Sequence, residues 1–141
     1  MPTERLNRAQ IAEILPHRDD MALLDEAALL EDGTAEGIYR VRGDEFFLRG
    51  HFPGNPVVPG VILCEIVAQT SCILIQDEMK GKTPYYAGID KVRFRQMVRP
   101  GDTLEISVKL LRNKMNVYVV GGEAKVNGKL SVSGEFTFII A

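Results

Sequence analysis

The chain of 141 residues is 45% hydrophobic and 26% charged, with a formal net charge of -2 and a pI near 5.7. Those proportions belong to one globular domain spanning residues 1–141 and exclude a disordered or fibrous chain; without a basic excess, a nucleic-acid partner is not expected. The N-terminus has no apolar signal core and no apolar run approaches the roughly 18 residues of a membrane span, so the expected setting is the cytoplasm, with no membrane partner.

Asn7 is the expected N-cap of a short helix that carries Ile11, Ile14 and Leu15 on one face and is closed by Pro16. From Met21 to Arg42, two apolar-rich runs, Ala22 to Leu30 and Thr34 to Val41, flank Asp32-Gly33, a pair suited to the positive φ angles of a hairpin turn. Residues 50 to 59 hold three prolines and two glycines, too many breakers for helix or strand, and predict a conformationally fixed loop. Gly60 then opens a stretch reaching Met79 whose centre, residues 61 to 75, is apolar on nearly every side, with Gly81 as its stop and Pro84 soon after. A helix apolar all round is one surrounded by protein.

The remainder reads as strand. Leu104, Ile106, Val108 and Leu110 alternate with polar neighbours, as do Leu130, Val132, Phe136, Phe138 and Ile140, apart from Ile139. Pro100-Gly101-Asp102 and Asn127-Gly128 supply turns. Two strands, one long apolar helix and then three or four strands predict an α+β fold, a strongly curved antiparallel sheet wrapped around that helix. Cys64 and Cys72 stand inside the apolar stretch with no Cys-x-x-Cys or Cys/His cluster, so both read as reduced core thiols, with no disulfide and no metal.

Glu65 is the one carboxylate in the apolar helix. A buried Glu must pair, hydrogen-bond or stay protonated with a raised pKa, and no Lys or Arg stands at i±3 or i±4. Gln69, one turn on, can hydrogen-bond and orient it. Such a carboxylate serves a core or subunit contact as readily as catalysis. His51, in the fixed loop, changes the balance: an imidazole and a buried carboxyl converging on one cavity form an acid/base pair at neutral pH. Such a pair suits proton removal at one carbon and proton delivery at the next. Gly60 opens the helix, where unsatisfied amides at the positive end of the dipole can receive a carbonyl or enolate oxygen. His17, in Leu15-Pro16-His17-Arg18, reads as a structural loop histidine.

Gly50-His51-Phe52-Pro53-Gly54-x-Pro56-x-x-Pro59-Gly60, followed by Glu65 and Ala68-Gln69, resembles the signature of the β-hydroxyacyl-acyl carrier protein dehydratases, the FabZ type, which have the hot-dog fold. Leu15-Pro16-His17-Arg18, Phe46-Phe47, Tyr86 to Phe94 and Pro100-Gly101-Asp102 extend the likeness over most of the chain, although Asp19-Asp20 replaces the aromatic and apolar residues usual after the first motif, and the Leu48-Arg49 spacer is one residue longer than usual. The resemblance implies His51 as the base at C2 of a (3R)-3-hydroxyacyl thioester and Glu65 as the acid at the departing 3-hydroxyl. It implies Gly60 as donor to the thioester carbonyl, Val61, Phe52 and Gln69 as further substrate contacts, and a trans-2-enoyl thioester as product. It further implies acyl carrier protein as partner and a homodimer, in some members a trimer of dimers, whose two chains share each site. No metal or cofactor is implied beyond the phosphopantetheine arm that the carrier supplies.

Lys91, Arg93 and Arg95 alternate with Val92 and Phe94, with Arg99 just beyond. They read either as a solvated face or as a docking patch for an acidic carrier protein. Tyr85 and Tyr86 are candidates for the mouth of the acyl tunnel. Alternatives to the plain dehydratase are a dehydratase that also isomerises the double bond, a hot-dog thioesterase and a non-catalytic acyl-carrier binding paralogue; Glu65, where isomerising relatives commonly carry Asp, favours the first reading.

Overall fold

The computed structural model describes residues 5–49 and 54–141. A short strand, β1 (Arg5–Leu6), leads into α1 (Arg8–Ile14). The Asn7 side chain accepts the Gln10 amide at 2.9 Å and the Gln10 side chain accepts the Asn7 amide at 2.8 Å, a reciprocal cap that satisfies two orphan donors. Strands β2 (Glu26–Leu29) and β3 (Ala35–Arg40) form the expected hairpin. Its turn has Gly33 at φ +86°, and the Asp32 carboxylate accepts both the amide and the hydroxyl of Thr34.

Helix α2 runs Gly60–Leu74 and is followed by β4 (Pro84–Phe94), β5 (Thr103–Lys114), β6 (Val117–Val126) and β7 (Lys129–Ile140). The helix ends well before Met79, where the apolar stretch predicted it would run. The Gln76 side-chain amide takes the carbonyl of Ile73 in the last turn, and residues 75–81 continue as turns to Gly81 at φ +74°.

The strands form one antiparallel sheet in the order β1-β2-β3-β5-β6-β7-β4. Its inner face wraps α2, as the alternating patterns predict: Ile106 and Val108 of β5, Val120 of β6 and Phe136 of β7 are buried together with Ile66, Val67 and Ile73 of the helix. Each such side chain contributes about 1.5–3 kcal/mol relative to exposure. Two glycines let helix and sheet approach. A Cβ on Gly37 would stand 2.5 Å from Thr70 Oγ1, and one on Gly122 would stand 2.4 Å from Val67 Cγ1.

Asp25 anchors the N-terminal half. Its carboxylate accepts Arg8 Nε at 2.9 Å, the Arg40 amide at 2.7 Å and the Arg42 guanidinium, joining α1 to the end of β3. At the opposite edge of the sheet β4 carries one extra residue between Asp90 and Arg93, with Lys91 at φ +55°. Tyr85, Ile89 and Phe94 remain exposed along this edge.

Candidate active site

Glu65 and Gln69 project from the same face of α2, one turn apart, and the expected bond between them is present: Gln69 Nε2 donates to Glu65 Oε2 at 3.0 Å. Gln69 is itself buried and fully engaged. Its Nε2 also donates to the Met21 carbonyl at 2.7 Å, and its Oε1 accepts the Leu23 amide at 2.9 Å. The carboxylate is therefore tied through one amide to the segment that follows α1.

His17 comes from that same region. The sequence alone reads it as a structural loop histidine, yet its Nε2 lies 3.1 Å from Glu65 Oε2. Its loop is clamped by Arg18, whose guanidinium donates to the carbonyls of Leu15 at 2.6 Å and His17 at 2.8 Å. The available signal was the Leu15-Pro16-His17-Arg18 motif. His51 and Phe52, the base and one of the substrate contacts expected from the sequence, lie outside the described residues.

Glu65, His17, Cys72, Tyr86 and Phe138 line a small cavity of about 60 Å³ between α2 and strands β4 and β7. Tyr86 stacks on Phe138, with centroids 5.3 Å apart, and its hydroxyl donates to the Cys64 carbonyl at 3.1 Å. Burial, reinforced by the nearby Glu65 charge, pushes the Tyr86 hydroxyl well above the ordinary tyrosine range. The same two causes push the Cys72 thiol up to about 12. At neutral pH the tyrosine thus stays a hydrogen-bond donor and the thiol stays protonated, so neither is a nucleophile here.

Gly60 is the first residue of α2, after Pro59, and among the described residues no side chain caps that end. The amides of Gly60 and Val61 belong to the first turn, where donors have no intrahelical acceptor. A Cβ on Gly60 would stand 2.9 Å from the Phe94 ring, so the glycine leaves room for that aromatic side chain. Val61 is 76% exposed, the one strongly exposed apolar residue of the helix.

Of the basic residues considered for docking, Lys91 pairs with Glu135 at 3.3 Å, and Arg112 approaches the same carboxylate at 3.4 Å. The β4 bulge interrupts the simple alternation of Lys91 and Arg93, and Arg93 pairs in register with Ser133. Arg93, Arg95 and Arg99 are exposed, and Arg99 is held at its amide by Asp102. Among the described residues no three His, Cys, Asp or Glu side chains cluster as metal ligands, and no helix is long and apolar enough to cross a membrane.

A FabA-like domain family model matches residues 15–135. The chain is 44% identical over 137 residues to the 3-hydroxyacyl-[acyl-carrier-protein] dehydratase FabZ of Caldicellulosiruptor bescii, covering 95% of this chain and 98% of the relative. It is 44% identical to the FabZ dehydratase of Enterococcus faecalis and 41% identical to that of Clostridium perfringens, covering in each case 96% of this chain and 99% of the relative. Among solved structures, the dehydratase heterocomplex ApeI:P of Xenorhabdus doucetiae superposes with a TM-score of 0.79 at 22% identity, covering 93% of this chain and 90% of that one. A putative thioesterase of Ralstonia eutropha superposes with a TM-score of 0.62 at 24% identity, covering 77% of each chain. These likenesses identify the sheet around α2 as a hot-dog fold.

Proposed function

The chain belongs to the FabA-like domain family, and on that premise we propose that it is a 3-hydroxyacyl-[acyl-carrier-protein] dehydratase, a hydro-lyase of fatty acid biosynthesis. The observation that carries this reading is the 44% identity to a FabZ dehydratase across nearly the whole of both chains. The substrate is a 3-hydroxyacyl thioester of acyl carrier protein, and the products are the enoyl thioester and water.

In the reaction we propose, His51 removes the C2 proton, the C2–H electron pair forms the C2=C3 double bond, and the C3–O bond breaks. Glu65 gives its proton to the departing hydroxyl, which leaves as water. The charge that develops on the thioester oxygen is met by the amide of Gly60 at the positive end of α2. The phosphopantetheine arm of the carrier is part of the substrate, and the mechanism assigns no step to a metal or redox cofactor.

A homodimer, alone or as three dimers in a hexamer, completes the proposal, with His51 of one protomer working with the partner's Glu65. Its support is the edge position of β4, which among the described residues leaves one side of its backbone unpaired in the sheet, together with the exposed apolar side chains Tyr85, Ile89 and Phe94 along that strand. Arg93, Arg95 and Arg99 are the proposed contacts for the acidic carrier, and the cytoplasm the proposed place of work.

The test is incubation of the purified protein with 3-hydroxyacyl carrier protein, followed by mass spectrometry. Loss of one water to an unshifted 2-enoyl product is expected, and His51→Ala or Glu65→Gln is expected to lower the rate at least about 100-fold. Free thiol in place of the enoyl product would select a thioesterase, a moved double bond an isomerising dehydratase, and binding without turnover a carrier-binding protein. Full turnover in either variant would refute the residue roles.

A further inference from the structure

We propose that His17 is a positioning residue for the acid of this site: it occupies Oε2 of Glu65, so that Oε1 is the oxygen that exchanges the proton with substrate. The kinetic part of this inference rests on the dehydratase reading above; the structural part does not.

Two nitrogens converge on Oε2. One is Gln69 Nε2 at 3.0 Å, and its identity as the amide nitrogen is set by the surrounding bonds. The other end of that amide accepts the Leu23 N–H at 2.9 Å, while the nitrogen donates to the Met21 carbonyl at 2.7 Å, an arrangement that only one amide orientation satisfies. Oε2 therefore always faces a donor on this side. The second nitrogen is His17 Nε2 at 3.1 Å.

The tautomer of His17 follows from what remains. Its Nδ1 is buried with no hydrogen-bond partner among the described residues. A proton on Nδ1 would bury an orphan N–H, the rarer and costlier defect, and would set the lone pair of Nε2 against that of Oε2. A proton on Nε2 leaves a bare acceptor at Nδ1 and stands a donor 3.1 Å from Oε2 as a close polar contact, beside the hydrogen bond from Gln69. With Oε2 so occupied, a carboxyl proton resides on Oε1, which has no bonding partner among the described residues. The clamp of Arg18 on the Leu15 and His17 carbonyls holds the imidazole in this place.

His17 and His51 are the only histidines of the chain, so nitrogen-15 NMR of the imidazoles of the intact protein at pH 8, with His51→Ala for assignment, reads the tautomer directly. A protonated Nε2 with a bare Nδ1 is expected for His17, and a protonated Nδ1 would overturn the proposal whether or not the protein turns over substrate. Steady-state kinetics supply the second test. His17→Gln places an amide near the position of Nε2 and is expected to restore kcat to within about threefold of the wild type, whereas His17→Asn, whose amide stops near Nδ1, and His17→Ala are expected to lose at least about tenfold in kcat with KM changed by less than about threefold. Wild-type kcat in His17→Ala, or a His17→Gln variant as slow as His17→Asn, would overturn it. A wild-type protein without dehydratase turnover would refute the functional reading alone, leaving the NMR result to decide the tautomer.

Discussion

Gln69 holds Glu65 from one helical turn away, at 3.0 Å between Nε2 and Oε2, and it is the same amide that fastens the backbone at Met21 and Leu23. The orientation of the carboxyl and the path of the chain after α1 are thereby one structural event. Gln69→Leu keeps the volume but leaves the buried Leu23 N–H without its acceptor. The expected loss is about 2–3 kcal/mol in urea unfolding, together with reduced turnover because Glu65 loses a donor. Unchanged stability would mean that the segment finds other partners.

Close approach of helix and sheet makes a second prediction. Gly122→Ala drives a methyl group to 2.4 Å from Val67 Cγ1 and 3.1 Å from Val108 Cγ1, both on buried side chains. It is expected to cost about 1–3 kcal/mol. Gly88→Ala meets only Thr137, at 3.8 Å, and is expected to stay within about 0.5 kcal/mol. Thermal unfolding of the two variants side by side checks the contrast.

The Asp25 anchor predicts an acid limb of stability. Burial pushes its pKa up, but bonds from the Arg40 amide and the Arg42 and Arg8 guanidinium groups outweigh that push and hold it below the ordinary 3.8. A depressed folded-state pKa means that the stabilisation is complete above the unfolded value and is lost as pH falls through the folded one. Asp25→Asn should therefore be less stable than the wild type at pH 7, and the gap should narrow below about pH 3.8. Urea midpoints measured from pH 7 down to pH 3 give the comparison; a gap that widens on acidification contradicts it.

Thiol chemistry provides a fourth. Cys64 and Cys72 are free and buried, and burial raises both thiols, Cys72 to about 12 with help from Glu65. Native protein at pH 8 is expected to resist alkylation by iodoacetamide at both positions, and protein in urea to take up two equivalents. Rapid native labelling at Cys72 would show the cavity to be far more open than the helix packing indicates.

Local pattern made much of this legible. The cap at Asn7, the turn at Asp32-Gly33, the apolar character of Gly60 to Leu74 and the alternation along β5 and β7 are written in neighbouring residues, because capping, turn geometry and periodicity act over a few positions. The end of α2 was not legible. Apolar residues continue to Ile75 and Met79 lies beyond, yet the helix stops at Leu74, where the Gln76 amide bonds the carbonyl of Ile73. Periodicity records burial, and buried turns share it with buried helix.

The sequence by itself determined the Asn7 cap, the hairpin around Asp32-Gly33, the apolar helix with its single carboxylate and the family signature around it, because each depends on residues close along the chain. Tertiary structure alone decided that β3 lies beside β5, that β7 closes onto β4, and that His17 rather than another side chain of the described residues joins Gln69 on Glu65. The physical reason is that strand order and side-chain convergence follow from how a twisted sheet closes around one helix, and that closure brings together residues whose separation in sequence carries no periodic signal.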